Sequence, residues 1–177
     1  MQGKVVQQKL EAIWPEVIGL VITKHKGKIN LCPINYQGVS TVYEKPLSVT
    51  LGLDNRNYTL ETILKEKEFV YAYPCRDQLK DTLYCGTVSG RDTDKTATTN
   101  FSFSNSIQVA PPLLNDAVLN YECKLLHSYN VGEFTIIIGQ IVEIHSSGKD
   151  GLEKIYSLGT CARYGVISAT TTLQVGR

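Results

Sequence analysis

The five cysteines, Cys32, Cys75, Cys85, Cys123 and Cys161, stand ten or more residues apart and never form a Cys-x-x-Cys pair. An odd count at such spacing argues against both a disulfide framework and a thiolate zinc site. His25, His127 and His145 lack metal-ligand spacing as well, so no metal is expected. Long apolar runs are also missing. The stretch Thr135–Ile144 is broken by Gly139, Gln140 and Glu143, well short of the roughly 20 residues a membrane helix requires. Charge of one sign is scarce: the net charge is +1, with Lys and Arg scattered along the chain. Without a basic run there is no footprint for nucleic acid or anionic lipid, and neither is an expected partner. The polar opening, Met1–Lys9, has no apolar signal core, which makes the cytoplasm the expected location. A Gly-x-Ser-x-Gly elbow, a Walker loop and a Gly-x-Gly-x-x-Gly turn are all absent, so hydrolase and Rossmann readings lose support.

What is present is an ordinary globular composition, 42% hydrophobic and 20% charged, which is enough apolar surface to fold. The 177 residues suit one domain spanning 1–177. Val6, Leu10, Ile13 and Trp14 fall on one side of a short helix that Pro15 ends. Val17–Lys24 and Ile29–Ile34 read as a hairpin about Lys26-Gly27-Lys28, and Leu47–Leu53 as a third strand. Arg56–Lys67 has helical spacing in Leu60, Ile63 and Leu64. The strand Phe69–Tyr73 leads to a short helix, Asp77–Tyr84, with Asp77 as N-cap and Gly86 as its stop. Gly86–Asn105 is a long polar loop of the kind that often carries function. Beyond Pro111-Pro112, the residues Leu119, Tyr121, Cys123 and Leu125 alternate with Asn120, Glu122 and Lys124, as in a half-buried strand. A turn at Asn130–Glu133 joins it to Phe134–Ile144 as an antiparallel ribbon. Strands with a few short helices between them, and no βαβ alternation, predict a mainly β fold: a closed or nearly closed antiparallel barrel, which protects its edges.

Three segments carry candidate chemistry. Asp54-Asn55-Arg56-Asn57-Tyr58-Thr59 runs from a strand end into a helix start, where free N–H groups and the helix dipole suit an anion. Arg56 can fork onto phosphate oxygens and Thr59 can donate to them, although simple helix capping by Asn57 or Thr59 explains the same residues. In Tyr84–Lys95, Gly86 and Gly90 permit close approach of a flat ligand, and Ser89, Arg91 and Lys95 are donors; a surface turn of mixed charge is the alternative. In Asn30-Leu31-Cys32-Pro33-Ile34-Asn35, a strand interrupted by Pro33 can leave main-chain groups for a ring edge, with Cys32 read as packing in preference to a redox thiol.

Taken together these phrases resemble the flavin reductase-like FMN-binding family, and within it the flavoredoxin branch. The resemblance is carried by Leu51-Gly52-Leu53 before Arg56-Asn57-Tyr58-Thr59, by Glu68-Phe69-Val70, and most specifically by Cys85–Lys95. Leu119–His127 and Ile138-Gly139-Gln140-Ile141-Val142 look like the family's paired barrel strands. The resemblance implies a homodimeric split β-barrel of Greek-key type that holds FMN and is reduced by NAD(P)H or a protein electron donor. It is compatible with an FMN-dependent oxidoreductase or a flavoredoxin-like carrier; a non-catalytic flavin- or haem-binding module is the alternative. It places Cys32, Pro33 and Ile34 along the ring, and Thr50, Leu51, Gly52 and Leu53 along the ribityl chain. Arg56, Tyr58 and Thr59 fall at the phosphate, and Ser89, Gly90 and Lys95 close the pocket. His127 and Phe134 fall on the substrate side, and no side chain is assigned as catalytic acid or base. One departure bears on the donor: where the family commonly reads Gly-Asp-His-Thr, this chain has Gly132-Glu133-Phe134-Thr135. A phenyl ring can stack but donates no hydrogen bond, which weakens the case for efficient NAD(P)H use and makes a protein donor more competitive.

Overall fold

The computed structural model describes residues 15–40, 45–159 and 163–165. The expected N-terminal helix and Cys161 lie outside them. Fourteen elements follow in chain order: β1 (Glu16–Val17), β2 (Gly19–His25), β3 (Lys28–Ile34), β4 (Gln37–Val39), β5 (Ser48–Asp54), α1 (Tyr58–Glu66) and β6 (Glu68–Tyr73), then α2 (Leu79–Thr87), β7 (Phe103–Ser104), β8 (Leu113–Leu114), β9 (Leu119–Val131), β10 (Phe134–Ser146), β11 (Tyr156–Gly159) and β12 (Arg163–Gly165).

The main sheet is antiparallel, with seven strands in the order β3-β2-β6-β9-β10-β5-β4. Its two outer strands, β3 and β4, are consecutive in the chain with only Asn35 and Tyr36 between them. The sheet must therefore curl until its edges meet at that corner, which makes the half-closed barrel of the split-barrel type. The β2–β3 hairpin turns at Lys26 and Gly27, whose φ angles of 48° and 82° are the left-handed pair favoured in two-residue hairpins. The long β9–β10 ribbon turns at Gly132, φ 65°, and its register shifts between Ile138 and Gly139 and between Ile141 and Glu143. Such irregularities bend a strand and increase its twist, which curvature requires.

Strand parity explains why two cores form. Val21 of β2 and Phe69, Tyr71 and Tyr73 of β6 join Leu51, Leu53 and Ile137 in the barrel interior, with Leu60 and Ile63 of α1 packed among them. The alternate residues, Leu20 and Ile22 of β2 and Val70 and Ala72 of β6, pack instead against Cys85 of α2 and the segment around Leu113 and Leu114. Both strands are thus covered on both faces, with about 1.5–3 kcal/mol gained per large apolar side chain buried. That double burial fixes α2 on the outer face, alongside β3.

Two expectations are corrected here. In β9 the residues Asn120 and Glu122, read as the polar half of an alternation, are buried. Asn120 bonds Leu114 through both amide ends, accepting from its N–H at 2.9 Å and donating to its carbonyl at 3.0 Å. Glu122 accepts from the N–H groups of Ile107, Gln108 and Val109, and from Nε2 of His145 at 2.7 Å. Polarity there marks a strap bound to the sheet, since a buried polar group is tolerated when it is hydrogen-bonded. The second correction concerns the helix expected over Asp77–Tyr84. Arg76–Gln78 is a 3-10 turn capped at Cys75, and α2 continues through Thr87, so Asp77 is not the N-cap and Gly86 is not the stop. Gly86 serves close packing instead: a Cβ there would sit 3.0 Å from Cγ of Pro33.

Candidate functional site

A cavity of about 470 Å3 opens where α1 begins, where α2 ends and along β3, a size within the roughly 300–1,000 Å3 usual for ligand pockets. Its walls come from three stretches far apart in sequence, each fixed by a local rule. Asn30 and Cys32 are two residues apart on β3 and so share a face. Because β3 is an edge strand, Pro33 is tolerated within it, and main-chain groups remain for other partners. Leu31 O is one of them, accepting from Nζ of Lys95 at 2.6 Å. The expected interruption of this strand by Pro33 is therefore corrected: β3 runs unbroken to Ile34, and the edge itself supplies the free groups.

The second wall is the start of α1. Asn57 has extended backbone, φ −71° and ψ 125°, and its side chain accepts from the N–H of Thr59 at 2.8 Å. It is a true N-cap, and its amide also donates to Sγ of Cys32 at 3.3 Å, tying the cap to β3. The helix start thus faces the cavity with its positive dipole end. At the mouth, Arg56 directs its fork at Asp54, Nε to Oδ1 at 2.9 Å and Nη2 to Oδ2 at 2.7 Å. Arg56 holds the Asp54 carboxyl well below the usual carboxylate range. The fork expected for an anion is engaged by this neighbour, and the guanidinium is largely exposed to solvent.

The third wall is the end of α2 and the loop 88–95. Lys28 Nζ donates to Gly90 O at 2.7 Å, and Arg91 pairs with Glu61 at 2.8 Å while lying 5.3 Å from the centre of the Tyr58 ring. Lys95 is 4% exposed and donates to Leu31 O and Cys85 O, both at 2.6 Å. Among the described residues no carboxylate pairs with it, and burial lowers its pKa. Lys95 therefore clamps α2 and the loop to β3 and leaves a positive charge in the wall. Burial pushes the Cys85 thiol up to about 12, which keeps it protonated and unreactive.

Of the residues expected from sequence, Cys32, Pro33, Arg56, Tyr58, Thr59, Ser89, Gly90 and Lys95 come together around this one cavity. Ile34 and Thr50, Leu51, Gly52 and Leu53 do not line it. Ile34, Leu51 and Leu53 point into the barrel core. The β5 edge is also covered by its own chain: β4 pairs along it, and the N–H of Gly52 donates to Tyr36 O at 3.0 Å. The Tyr36 ring lies so close over Gly52 that a Cβ there would be 2.0 Å from it. Phe134 packs 5.7 Å from Tyr36 and sits opposite Asp54 in the β5–β10 register. His127 is exposed on the ribbon, 6.0 Å from Tyr129 and outside the cavity wall, so it supplies no haem ligand there. Asn30, Asp54 and Asn57 were not singled out as ligand contacts. A polar Asn30 inside the apolar run Ile29–Ile34 was the signal available for the first.

The model of the flavin reductase like domain matches residues 13–159. The chain belongs to the flavin reductase-like family. An uncharacterised protein of Archaeoglobus fulgidus is 28% identical over 153 residues, 85% of this chain and 84% of that protein. The crystal structure of flavoredoxin from Methanosarcina acetivorans superposes with a TM-score of 0.79 at 23% identity, covering 93% of this chain and 92% of that one. An FMN-binding protein from Thermus thermophilus, solved with bound p-hydroxybenzaldehyde, gives 0.77 at 20% identity with 90% of each chain covered. These likenesses establish the flavin reductase-like split barrel. Among the described residues no helix is long and apolar enough to cross a membrane, and no cluster of His, Cys, Asp or Glu is arranged to hold a metal.

Proposed function

We propose that this cavity holds FMN and that the protein transfers electrons through it, as a flavin reductase-like or flavoredoxin-like protein. The observation that carries the reading is the convergence of a capped helix start, the Thr59 hydroxyl, the Lys95 charge and glycine-rich backbone on one cavity. That donor set fits a phosphate-bearing ligand with a flat ring. Anions are favoured at helix N-termini, and a buried ammonium without a carboxylate partner lacks a compensating charge. FMN, when bound, supplies reversible redox chemistry through its ring system. The protein's part is to bind, orient and exclude water. Thr59 and the first turn of α1 hold the phosphate, the main chain at Cys32 and Pro33 faces the ring, and Ser89, Gly90 and Lys95 close one side. Arg56 reaches the phosphate only by leaving Asp54, so its contribution is to be read as an exchange of partners.

For the electron donor, the ribbon turn supports a protein over NAD(P)H: Phe134, tilted against Tyr36 with ring centres 5.7 Å apart, offers no N–H donor. The partly exposed Tyr36, Tyr129 and Val131 around the same corner suit association of two copies, in keeping with a homodimer. The test is an absorption spectrum of the purified protein, followed by FMN titration and stopped-flow reduction with NADH, NADPH and reduced ferredoxin. Retained FMN, reduced faster by ferredoxin than by either nicotinamide, is the expected result. A colourless protein whose presence leaves FMN fluorescence unchanged overturns the reading; reduction by NADH within milliseconds overturns the preference for a protein donor.

A further inference from the structure

Cys75, Cys85 and Cys123 are buried, whereas Cys32 is half-buried and lines the cavity. Its Sγ accepts from Nδ2 of Asn57, the N-cap of α1, at 3.3 Å. The orientation of that amide is fixed independently, because its Oδ1 accepts the main-chain N–H of Thr59. Lys95 is a second neighbour: burial lowers the pKa of its ammonium, and the sulfurs of Cys32 and Cys85 oppose that shift. A positive charge, a side-chain N–H and the positive end of a helix therefore meet at one half-buried sulfur, the surroundings in which cysteine reacts as its thiolate. Packing accounts for the other three described thiols and leaves this arrangement unexplained.

The cavity around the thiol selects its reagent. At the rim, Asp54 is paired with Arg56 and Glu61 with Arg91, so the Lys95 ammonium and the start of α1 leave the inner wall positive and suited to an anion. Asn30 lies two residues before Cys32 on the same face of β3 and lines the same cavity. It is 3% exposed, and its buried Oδ1 has no hydrogen-bond partner in the protein. An unpaired acceptor in the wall calls for an occupant that brings an N–H. A compound that is anionic and built on amide bonds answers both features.

We infer that Cys32 is a thiol-exchange site for anionic, amide-bearing low-molecular-weight disulfides, and that its adduct and a bound flavin exclude one another. In the exchange the Cys32 thiol gives its proton to solvent and the thiolate attacks one sulfur of the disulfide. The S–S bond of the reagent breaks as the new S–S bond to Cys32 forms, and the other half leaves as a thiolate. Cys32 is oxidised and the departing sulfur reduced, so the electrons balance. The attached group fills the space beside Cys32 and Pro33, which makes the adduct a switch on occupancy that a reducing thiol reverses. The exclusion rests on the flavin reading of the cavity; the exchange does not.

The experiment uses the full chain carrying Cys161→Ser, which removes the thiol outside the described residues, with glutathione disulfide as the probe. Mass-spectrometric mapping follows each cysteine, and thermal melts confirm the fold. Without flavin, Cys32 is expected to take up glutathione while Cys75, Cys85 and Cys123 stay unlabelled until the chain unfolds. FMN at about ten times its Kd is expected to slow labelling about tenfold, the factor by which the free site is depleted. The glutathionylated chain is expected to lose FMN binding in a fluorescence titration and to regain it with dithiothreitol. Asn57→Asp keeps the cap to Thr59 and sets a carboxylate against Sγ; it is expected to slow labelling about tenfold, the factor carried by one hydrogen bond to a charged group. Cystamine, which is cationic, is expected to label Cys32 more slowly than glutathione disulfide once each rate is divided by that for the urea-unfolded chain. The inference is overturned if Cys32 labels no faster than the buried thiols, if bound FMN leaves its rate unchanged, or if the adduct binds FMN like the free chain. It is equally overturned if Asn57→Asp labels as fast or if cystamine is preferred. Selective labelling of Cys32 in a chain that binds no FMN overturns the flavin reading, with the exclusion built on it, and supports the exchange. FMN binding to a chain whose Cys32 is inert overturns the exchange alone.

Discussion

Replacing Glu122 by Gln tests whether a buried carboxylate holds the 107–109 strap onto the barrel. Glu122 is fully buried. Oε1 accepts from Ile107 N at 2.9 Å and His145 Nε2 at 2.7 Å, and Oε2 from Gln108 N at 2.6 Å and Val109 N at 3.1 Å. Gln keeps one acceptor oxygen, and its better orientation leaves the oxygen to Gln108 and Val109 and turns the NH2 toward His145, whose other tautomer accepts it, so that the N–H of Ile107 is the donor left unpaired. At about 1–3 kcal/mol for a buried donor left unpaired, the loss is roughly 1–3 kcal/mol. For a chain of this length that lowers Tm by roughly 2–12 °C. The pH dependence adds a second check. Burial alone would raise the Glu122 pKa, but the N–H groups of Ile107 and Gln108, with His145, more than offset it, and the net shift is downward. A depressed folded pKa contributes stability that is present above the unfolded value of about 4.3 and is lost as pH falls through the lower folded value. Gln does not titrate. The gap between wild type and Glu122→Gln is therefore full at pH 7 and narrows below about pH 4, as the wild-type carboxyl takes up its proton. Urea unfolding at both pH values measures the gap, and amide exchange at Ile107, Gln108 and Val109 reports the strap directly. A variant as stable as the wild type at pH 7, or a gap that persists unchanged in acid, would refute the reasoning.

Three further outcomes are expected. Gly90→Ala places a Cβ 1.9 Å from Oδ1 and 2.6 Å from Cγ of the buried Asn30; a stability loss of about 1–3 kcal/mol and weakened FMN binding should appear in thermal melts and flavin titration. Asn55→Ala removes the Nδ2 bond to Gly132 O at 2.9 Å and the acceptor for Thr135 Oγ1 at 2.8 Å. It should cost about 1–2 kcal/mol and speed amide exchange at the ribbon turn, and unchanged exchange there would show that Asn55 does not brace it. His127→Ala, on an exposed side chain outside the cavity wall, should leave FMN affinity within about twofold of the wild type, and a larger fall would place His127 in the flavin site.

Secondary structure was legible wherever one local signal dominated. Lys26-Gly27 called for a turn, and the spacing of Leu60, Ile63 and Leu64 called for α1. The ribbon of β9 and β10 followed from two long alternating runs about a short turn. The α2 boundaries were less legible, because Gly86 obeys a packing constraint against Pro33 that no local rule contains. The same limitation hid Glu122: alternation says which side chains share a face, whereas solvent exposure depends on what later covers that face, here the 107–109 strap.

At the site, the sequence by itself determined the chemical inventory: a helix start that can receive an anion, a glycine-bearing loop with donors, and a strand carrying Pro33. Resemblance joined them into a flavin site. Only the tertiary structure decided which members share a cavity and which way their hydrogen bonds run. Leu51 and Leu53 point into the barrel core and β4 with Tyr36 covers the β5 edge, while Arg56 was claimed by Asp54 two residues before it. Asn30 came to the Thr59 hydroxyl across 29 residues of chain. Hydrogen bonds of this kind are set by partners brought together in space, and residue order alone does not contain them.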